Sequence, residues 1–301
     1  MVIRRAIFLT IIVGLLLPTT GLAQIGIHRP IGVTVEAGGR EPFFLEMWNN
    51  VAYYDTNLQK PNFASLLGRF EGKLGLNIFS LPVQVYGVYY TAASQSTAYY
   101  NNYLFSGVGA RLIPFRDYHG DRWFNEWLPG TKIFYETLNA SYNQNAASAE
   151  SLAKQDVLYG VEIYHEWNQD NPDLKKPWGE LWLKAMHRDT NFGWETFHTY
   201  VYFAQPKFGL HLNNEIGVYL RGDITGSGKN TPAYYYLNML DYGVGIRFEP
   251  MRKYSKANDL LRKLKMYLEV LTVSYLNNIP PDPSNYISSD VRFGVEFSYG
   301  R

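Results

Sequence analysis

The sequence predicts an all-β protein, a transmembrane antiparallel β-barrel of about twelve strands. Three observations predict it. Apolar and polar residues alternate along most of the chain, as they do in "DVRFGVEFSY" near the end. The alternating segments are about 10 to 14 residues long, which exceeds the usual soluble strand and suffices to cross a bilayer at a tilt. Aromatic residues make up 16% of the 301 residues, which suits girdles at two membrane interfaces.

Twelve segments carry the alternation. In "LLGRFEGKLGLNI" the residues Leu66, Phe70 and Leu74 share one face, and Arg69 and Lys73 lie on the other. The segments are 43–54, 65–78, 82–93, 101–114, 131–143, 156–168, 178–189, 193–205, 208–222, 236–249, 264–277 and 289–300.

Two segments alternate less cleanly. In 131–143, Glu136 falls on the face that Leu138 and Ala140 indicate is apolar. In 264–277 the alternation slips near Val270, which predicts a bulge. Lipid then covers the apolar face, because a sheet that spans a membrane must close on itself to satisfy its backbone groups. A secreted β-sandwich is the competing fold, and it would show shorter strands.

The N-terminus predicts secretion. Arg4 and Arg5 precede an apolar run at 6–17, and small residues lead to Ala23. This layout is typical of a signal peptide spanning residues 1–23, with a retained membrane anchor as the alternative. The domain prediction is therefore a signal peptide at 1–23, a periplasmic or lumenal segment at 24–42, and the barrel at 43–301.

Connection lengths set the predicted topology. With the C-terminus in the periplasm, tight inner turns fall at 80–82 and at 206–207, where Pro206 lies. Longer outer loops fall at 144–155, 223–235 and 278–288. The segment "IGVTVEAG" also alternates, and counting it gives an odd strand number, so a fourteen-strand barrel is the main alternative.

Two inner connections are longer than the rule predicts. These are 115–130, which holds tryptophans among charges, and 250–263, which holds leucines at helical spacing beside basic residues. Short interfacial helices on the inner leaflet are one interpretation. A docking surface for a periplasmic export partner and a plug are the others.

Composition excludes several classes. The formal charge of +1 gives no electrostatic indication of nucleic acid, and the chain has no cysteine for disulfides. It shows no Gly-rich nucleotide loop, no spaced Cys/His set and no calcium loop, so no cofactor or metal is predicted.

A short motif occurs twice. "GVGARLIPF" at 107–115 and "GVGIRFEP" at 243–250 place Arg111 and Arg247 at matching lumenal positions. With the chain's last strand, these stretches resemble the C-terminal barrels of exopolysaccharide-export proteins, a group that includes the outer-membrane subunit of cellulose synthase and the phage N4 adsorption protein A. The resemblance covers about residues 230–301, and it implies a passive conduit for a sugar polymer.

Catalysis is not predicted. A lipase-like site needs a serine beside an oriented histidine, and "MHRDTN" offers His187 on the apolar face with no such serine. His165 lies near Trp167. His198 and His211 are lumenal by alternation, where a polar histidine in a wet lumen is the ordinary explanation and a base or metal role the other.

The predicted lumen is nearly charge-balanced. Pores selective for one charge carry rings of one sign, so a balanced wall with aromatic residues favours a neutral or zwitterionic solute. It equally suits a structural or receptor barrel closed by ion pairs. The predicted aromatic lumen residues are Trp48, Tyr164, Trp182, Tyr200 and Tyr219. The predicted polar lumen residues are Arg69, Glu71, Lys73, Arg111, Glu162, Glu166, Glu180, Lys184, His198, His211, Glu215, Arg221, Asp241, Arg247, Glu269, Arg292 and Glu296.

The function predicted from these features is a passive outer-membrane channel that exports a polysaccharide or a similar hydrated solute from a Gram-negative cell. The alternatives are a structural or receptor barrel and, with less support, a barrel hydrolase. The predicted partners are outer-membrane lipid, the barrel-assembly machinery and a periplasmic export protein at the two long inner connections.

Overall fold

Twelve β-strands form nearly all of the described structure. The computed structural model describes residues 42–58, 64–78, 81–95, 102–116, 127–142, 154–169, 173–190, 199–228, 238–252, 263–276 and 286–299. The strands are β1 (Phe43–Thr56), β2 (Ala64–Asn77), β3 (Val83–Ser94), β4 (Tyr103–Leu112), β5 (Thr131–Tyr142), β6 (Gln155–Trp167), β7 (Trp178–Thr190), β8 (Thr199–His211), β9 (Ile216–Ser227), β10 (Met239–Phe248), β11 (Lys265–Tyr275) and β12 (Ser289–Tyr299). A 3-10 turn, Leu128–Gly130, precedes β5.

The strands close into one barrel in chain order. Each strand pairs antiparallel with its sequence neighbours, and β1 pairs with β12 from Met47↔Tyr299 to Thr56↔Asp290. Closure leaves no unpaired sheet edge. The predicted antiparallel barrel of twelve strands is confirmed, and no fourteenth strand is needed for closure.

The two ends of the barrel differ in what they hold. We call the end where β1 begins and β12 ends the terminal end, and the opposite end the distal end. The connection between β8 and β9 at the terminal end has four residues, 212–215, and Ile78 and Val83 are hydrogen-bonded across the β2–β3 connection. Residues 117–126 and 253–262, which form most of the two long inner connections, lie outside the described residues, as do residues 1–41.

The predicted turn at Pro206 is wrong. Strand β8 runs straight through this position, with Pro206 facing outward opposite Leu181 of β7. Towards β9, residues 205 and 206 make no ladder pair, and pairing resumes at Lys207↔Arg221 in the same register. Proline lacks the N–H that the ladder needs, so the strand loses local pairing without losing its direction. The predicted strand at 193–205 and loop at 223–235 shift accordingly, because β9 continues to Ser227.

The outward face is apolar in every part of the barrel. Val108 is 65% exposed, Leu220 61% and Phe293 54%, although all lie in the middle of regular strands. Water would make such a surface costly, whereas a hydrocarbon environment would not. Among the described residues, no helix is both long and apolar enough to cross a membrane.

Aromatic rings group on the outer face near both ends. One row crosses four strands, from Tyr135 through Tyr159 and His187 to Tyr200, with centroids 4.9–6.5 Å apart. Near the terminal end, His165 stacks between Trp127 and Trp167 at 5.7 Å from each. These rows are typical of side chains at a bilayer interface.

The two irregular segments are regular strands whose inner face is partly apolar. Leu138 and Ala140 share the inward face with Glu136, and Leu138 is 3% exposed. In β11 the register continues past Val270 without the predicted bulge, and Leu271 faces inward at 1% exposure. The predicted slip is therefore wrong, because it assumed that an apolar side chain must face lipid.

The barrel consists of two copies of one six-strand unit. The ladder Phe44↔Gly75↔Tyr86 in β1–β3 recurs as Trp178↔Gly209↔Tyr219 in β7–β9. The same correspondence continues from strand to strand, with β1 equivalent to β7 and β6 equivalent to β12. The units β1–β6 and β7–β12 are therefore related by half a turn about the barrel axis. Identical residues at equivalent positions include Glu46/Glu180, Trp48/Trp182, Lys73/Lys207, Gly75/Gly209, Tyr86/Tyr219, Ser94/Ser227, Asn102/Asn238, Gly107/Gly243, Gly109/Gly245, Arg111/Arg247, Lys132/Lys265, Glu136/Glu269, Leu138/Leu271, Asp156/Asp290, Gly160/Gly294 and Glu162/Glu296.

Local hydrogen bonds repeat with the sequence. In the first unit the Ser94 amide donates to Asn102 Oδ1 at 3.0 Å, and in the second the Ser227 amide donates to Asn238 Oδ1 at 3.1 Å. The two-copy arrangement therefore extends from strand register to side-chain geometry.

Candidate functional site: the barrel lumen

Ion pairs between strands that are not neighbours identify the inner face. Arg111 on β4 donates to both carboxylate oxygens of Glu46 on β1, at 2.7 and 2.6 Å. Such a bond can form only through the interior. Strand alternation then assigns every other position to the lumen.

Almost all the predicted lumen residues lie on this inner face. His198 lies outside the described residues, and Glu215 lies in the 212–215 turn rather than on the wall. The basic residues on the inner face are Arg69, Lys73, Arg111, Lys132, Lys184, Arg188, Lys207, Arg221, Arg247, Lys265 and Arg292. The acidic ones are Glu46, Glu71, Glu136, Asp156, Glu162, Glu166, Glu180, Asp223, Asp241, Glu269, Asp290 and Glu296.

Two of the aromatic residues predicted to line the lumen, Tyr200 and Tyr219, do not offer a ring to it. Tyr200 faces outward and is 69% exposed, so its lumenal assignment is wrong. Tyr219 faces inward but is 6% exposed, because its ring lies flat over Gly245. Trp48, Tyr164 and Trp182 face inward and are half-buried.

A first ion network lines β1–β5. It consists of Glu46, Lys73, Arg111, Lys132 and Glu136. Lys132 Nζ lies 3.1 Å from Glu46, and Lys73 Nζ lies 3.0 Å from Glu136. Glu136 is fully buried, so its charge depends on these partners.

Each buried glutamate is also held by a tyrosine that crosses a glycine. Tyr86 on β3 lies over Gly109 on β4 and donates to Glu136 on β5 at 2.9 Å. Tyr219, Gly245 and Glu269 repeat this arrangement on the opposite wall, with a donated bond of 2.6 Å. A side chain at either glycine would occupy the space of the tyrosine ring. This close packing is the structural reason for the repeated glycine motif.

A second ion network lines β9–β12 in the distal half. It consists of Arg221, Asp223, Asp241, Glu269, Asp290 and Arg292. Arg292 donates to Asp223 at 2.9 Å and also contacts Asp241 and Asp290. Arg221 donates to both oxygens of Glu269, at 2.7 and 2.8 Å.

The corresponding part of the first unit keeps the carboxylates Glu136 and Asp156 but replaces both arginines. Equivalent positions hold Val88 where the second unit has Arg221, and Leu158 where it has Arg292. Val88 and Leu158 belong to a buried cluster with Tyr86, Phe134 and Leu138. The two units therefore differ here, because hydrocarbon side chains of the first unit stand where the second unit has arginines.

Two lysines bridge distant strands in the terminal half. Lys265 on β11 lies 3.5 Å from Glu180 on β7, and Lys207 on β8 lies 3.3 Å from Glu180 and 3.9 Å from Glu296 on β12. These pairs draw β7–β8 and β11–β12 together through the interior. The bridge from Lys265 to Glu180 repeats the bridge from Lys132 to Glu46.

His211 has a structural setting. Its Nε2 lies 2.9 Å from the Asn168 carbonyl oxygen, and its Nδ1 lies 3.2 Å from Arg252 Nη1. Arg252 pairs with Glu249 at 2.7 Å, and the Arg247 guanidinium lies 3.3 Å from the Trp178 ring centroid. Both ring nitrogens of His211 are thus engaged at the terminal end. Among the described residues, no group of three His, Cys, Asp or Glu side chains is arranged to hold a metal.

Several charged residues of the lumen were not among the predicted ones, and each omission has a physical reason. Lys132 shares its face with Phe134 and Leu138, which suggested a lipid-facing surface. Lys207 fell in the wrongly placed turn, and Asp223 fell in a predicted loop. The alternation alone would have found Glu46, which shares parity with Trp48.

Comparisons with known proteins give structural similarity only. No family model matches the chain, and no curated protein matches it. The KdgM porin in complex with disordered oligogalacturonate is similar with a TM-score of 0.37 and 10% identity, over 84% of this chain and 99% of that one. The COG4313 outer-membrane channel from Pseudomonas putida F1 is similar with a TM-score of 0.36 and 10% identity, over 85% and 94%. LpxR from Salmonella typhimurium has a TM-score of 0.35 and 8% identity, over 84% and 99%.

Proposed function

We propose that the chain is an outer-membrane barrel of a Gram-negative bacterium that forms a passive channel for a neutral hydrated solute. The observation that carries the proposal is the contrast between the two faces of one closed sheet. The outer face is apolar along its whole circumference, and the inner face carries nearly equal numbers of basic and acidic side chains.

Membrane insertion follows from the outer face. The strands have 10 to 14 residues, enough for a tilted crossing of the hydrocarbon core. Outward aromatic rows lie near both ends, where headgroups would meet them. The barrel-assembly machinery and outer-membrane lipid are the partners that this location requires.

The inner face supports the choice of a neutral solute. The basic and acidic side chains pair with one another in two networks and two bridges, so no wall presents a ring of one sign. Ion selectivity needs such a ring, and a solute without net charge meets no barrier from a balanced wall. The half-buried aromatic rings Trp48, Tyr164 and Trp182 add surface suited to a polyhydroxy compound.

The specific solute we propose is a polysaccharide or a similar hydrated chain leaving the cell. The likeness of the repeated glycine–arginine–proline motif to export barrels supports this choice. In this proposal, segments 115–130 and 250–263 at the terminal end receive a periplasmic export partner. In this proposal the barrel acts without catalysis, and the described His187 and His211 are consistent with it, because His187 faces outward and His211 contacts Asn168 and Arg252.

A structural or receptor barrel is the second candidate. The observation that favours it is the apolar cluster of Tyr86, Val88, Phe134, Leu138 and Leu158, which fills part of the interior with hydrocarbon. Internal bridges such as Lys265–Glu180 also take up lumenal space.

Single-channel conductance of the purified barrel in a planar bilayer separates these candidates. The channel proposal predicts discrete current steps with little preference between potassium and chloride. A barrel that inserts and gives no current would favour the structural candidate.

Deletion in the host tests the export direction. Loss of the protein should lower the amount of exported polymer while its synthesis continues. Unchanged export of every polysaccharide, in a strain whose purified barrel conducts, would restrict the proposal to a small solute.

A further inference from the structure

The two-copy architecture places one pair of tryptophans on facing walls of the lumen. Trp48 on β1 and Trp182 on β7 are equivalent in register, since each lies two residues beyond the glutamate that pairs with Lys73 or Lys207. Strands β1 and β7 are six positions apart in a ring of twelve. The two indoles therefore project inward from opposite sides at the same height.

These two rings differ from the other repeated aromatic side chains. Tyr86 and Tyr219 are buried against the wall by their bonds to Glu136 and Glu269. Trp48 and Trp182 remain half-buried, so part of each indole is accessible from the lumen. A large aromatic surface left in contact with water contributes little to folding, and it is available to a ligand.

The orientation of Trp182 is fixed by its neighbours. Its Nε1 donates to Glu162 Oε1 at 2.8 Å, and its ring stacks on Phe203 with centroids 6.1 Å apart at 13°. Gln205 lies directly opposite it on β8, and Tyr164 lies opposite on β6. The Trp182 indole is thus fixed in orientation and has polar groups at its edges.

Trp48 has a comparable border. Its register partners are Glu71 on β2 and Ser298 on β12, which offer hydrogen-bonding groups beside the indole. Glu71 lies 3.5 Å from Lys73, so the charge near this ring is balanced. A neutral ligand fits this border better than an ion.

The chemistry of the two indoles and their borders suits a sugar ring. A pyranose has flat C–H faces that stack on aromatic planes and hydroxyls around its rim that bond to amides and carboxylates. The two tryptophans with their polar borders match both parts of such a ring.

We propose that Trp48 and Trp182 form a paired stacking site that binds a neutral oligosaccharide within the lumen. The inference rests on the proposed channel function and names the ligand class and the residues that select it. Tyr164, Phe203 and Gln205 support the second half of the site.

The test uses full-length barrel in planar bilayers with maltohexaose as the neutral probe. Reversible current blockades should appear in the unaltered protein. The double variant Trp48→Ala/Trp182→Ala should weaken sugar affinity about tenfold or more, and each single variant several-fold. Tyr200→Ala, which removes an outward ring, is the matched control and should leave the blockades unchanged.

Calorimetric titration of the same proteins in detergent with maltohexaose separates failure of the site from failure of the channel. Sugar binding that is lost in the double variant supports the paired site even if no current is seen. A conducting barrel that neither binds nor is blocked by the sugar would overturn the site and leave the channel in place. Equal affinity in the unaltered protein and the double variant would also overturn it.

Discussion

Many charged side chains inside this barrel form ion pairs with one another and are not exposed to the solvent in the lumen. Glu136 is completely buried, and it is held by Lys73 and by the hydroxyls of Tyr86 and Tyr90. A buried carboxylate that loses its cation retains the cost of leaving water without the compensating attraction. The stability of the fold therefore depends on single lumenal residues as well as on the lipid-facing surface.

Replacing Lys73 by Met should lower the free energy of unfolding by about 3–5 kcal/mol, because Glu136 would lose its closest cation. Urea unfolding in detergent micelles, followed by the shift in gel mobility, measures the change. Arg69→Met is the matched control, since Arg69 is an exposed residue of the same strand face. Equal effects of the two substitutions would show that burial of the lysine is unimportant.

Gly109→Ala should also destabilise the barrel, by about 1–3 kcal/mol, because the added methyl would lie 2.7 Å from the Tyr86 ring and 2.9 Å from Glu136 Cγ. Gly87→Ala is the control, as the nearest atoms to its methyl would be 3.9 Å away. Thermal loss of the folded gel band compares the two. A tolerated Gly109→Ala would mean that Tyr86 moves away from the glycine freely.

Whether a side chain faces the lumen or the lipid was predictable wherever polar and apolar residues alternate. The prediction failed where apolar side chains face the lumen. Lys73 and Arg111 followed from alternation alone. Lys132 did not, because its inward neighbours Phe134 and Leu138 pack against each other inside the barrel. A lumen that is partly filled has a hydrocarbon core of its own, and a pattern of apolar residues cannot distinguish that core from lipid.

Among the strands, β8 shows how local and global signals compete. Pro206 is a common turn residue, yet it lies within a strand whose neighbours hold it in register on either side. In the closed barrel β8 is hydrogen-bonded to β7 on one side and to β9 on the other. The missing N–H of Pro206 therefore removes local hydrogen bonds to β9, and the strand continues through the proline.

Cysteine labelling tests this strand assignment in a chain without native cysteine. In lipid vesicles, Asn214→Cys should react with a water-soluble maleimide, because residue 214 lies in the exposed terminal-end turn. Phe208→Cys should be shielded, because residue 208 lies on the apolar outward face of β8. Rapid reaction at 208 with slow reaction at 214 would restore a turn at Pro206.

The whole barrel consists of two six-strand units, and β6 ends and β7 begins at the terminal end, where β1 begins and β12 ends. In the sequence alone, this repeat is visible only as the short motif shared by 107–115 and 243–250. Most identities shared by the units are separated by divergent residues, and they become visible only when strand register aligns them. Strand number and order followed from the sequence, whereas the internal symmetry and the ion networks depend on contacts between distant strands.

A circular permutant that begins at Trp178, joins Tyr299 to Phe43 by a flexible linker and finishes at Trp167 should fold into the same barrel. The new ends lie at the terminal end, so strand order and insertion direction are kept. Heat-dependent gel mobility after assembly in outer membranes measures success. The control permutant opens the 95–102 connection at the distal end and should fail to assemble. Equal assembly of both would show that the position of the termini does not matter.

The repeat also sets a limit on how the barrel can be divided. A unit of six strands has two open edges, so the edge N–H and C=O groups of either half are satisfied only by the other half. The two halves nevertheless differ inside, since Val88 and Leu158 of the first unit stand where the second unit has arginines 221 and 292. The barrel therefore combines a twofold backbone with an asymmetric lining, while Trp48 and Trp182 keep the twofold relation.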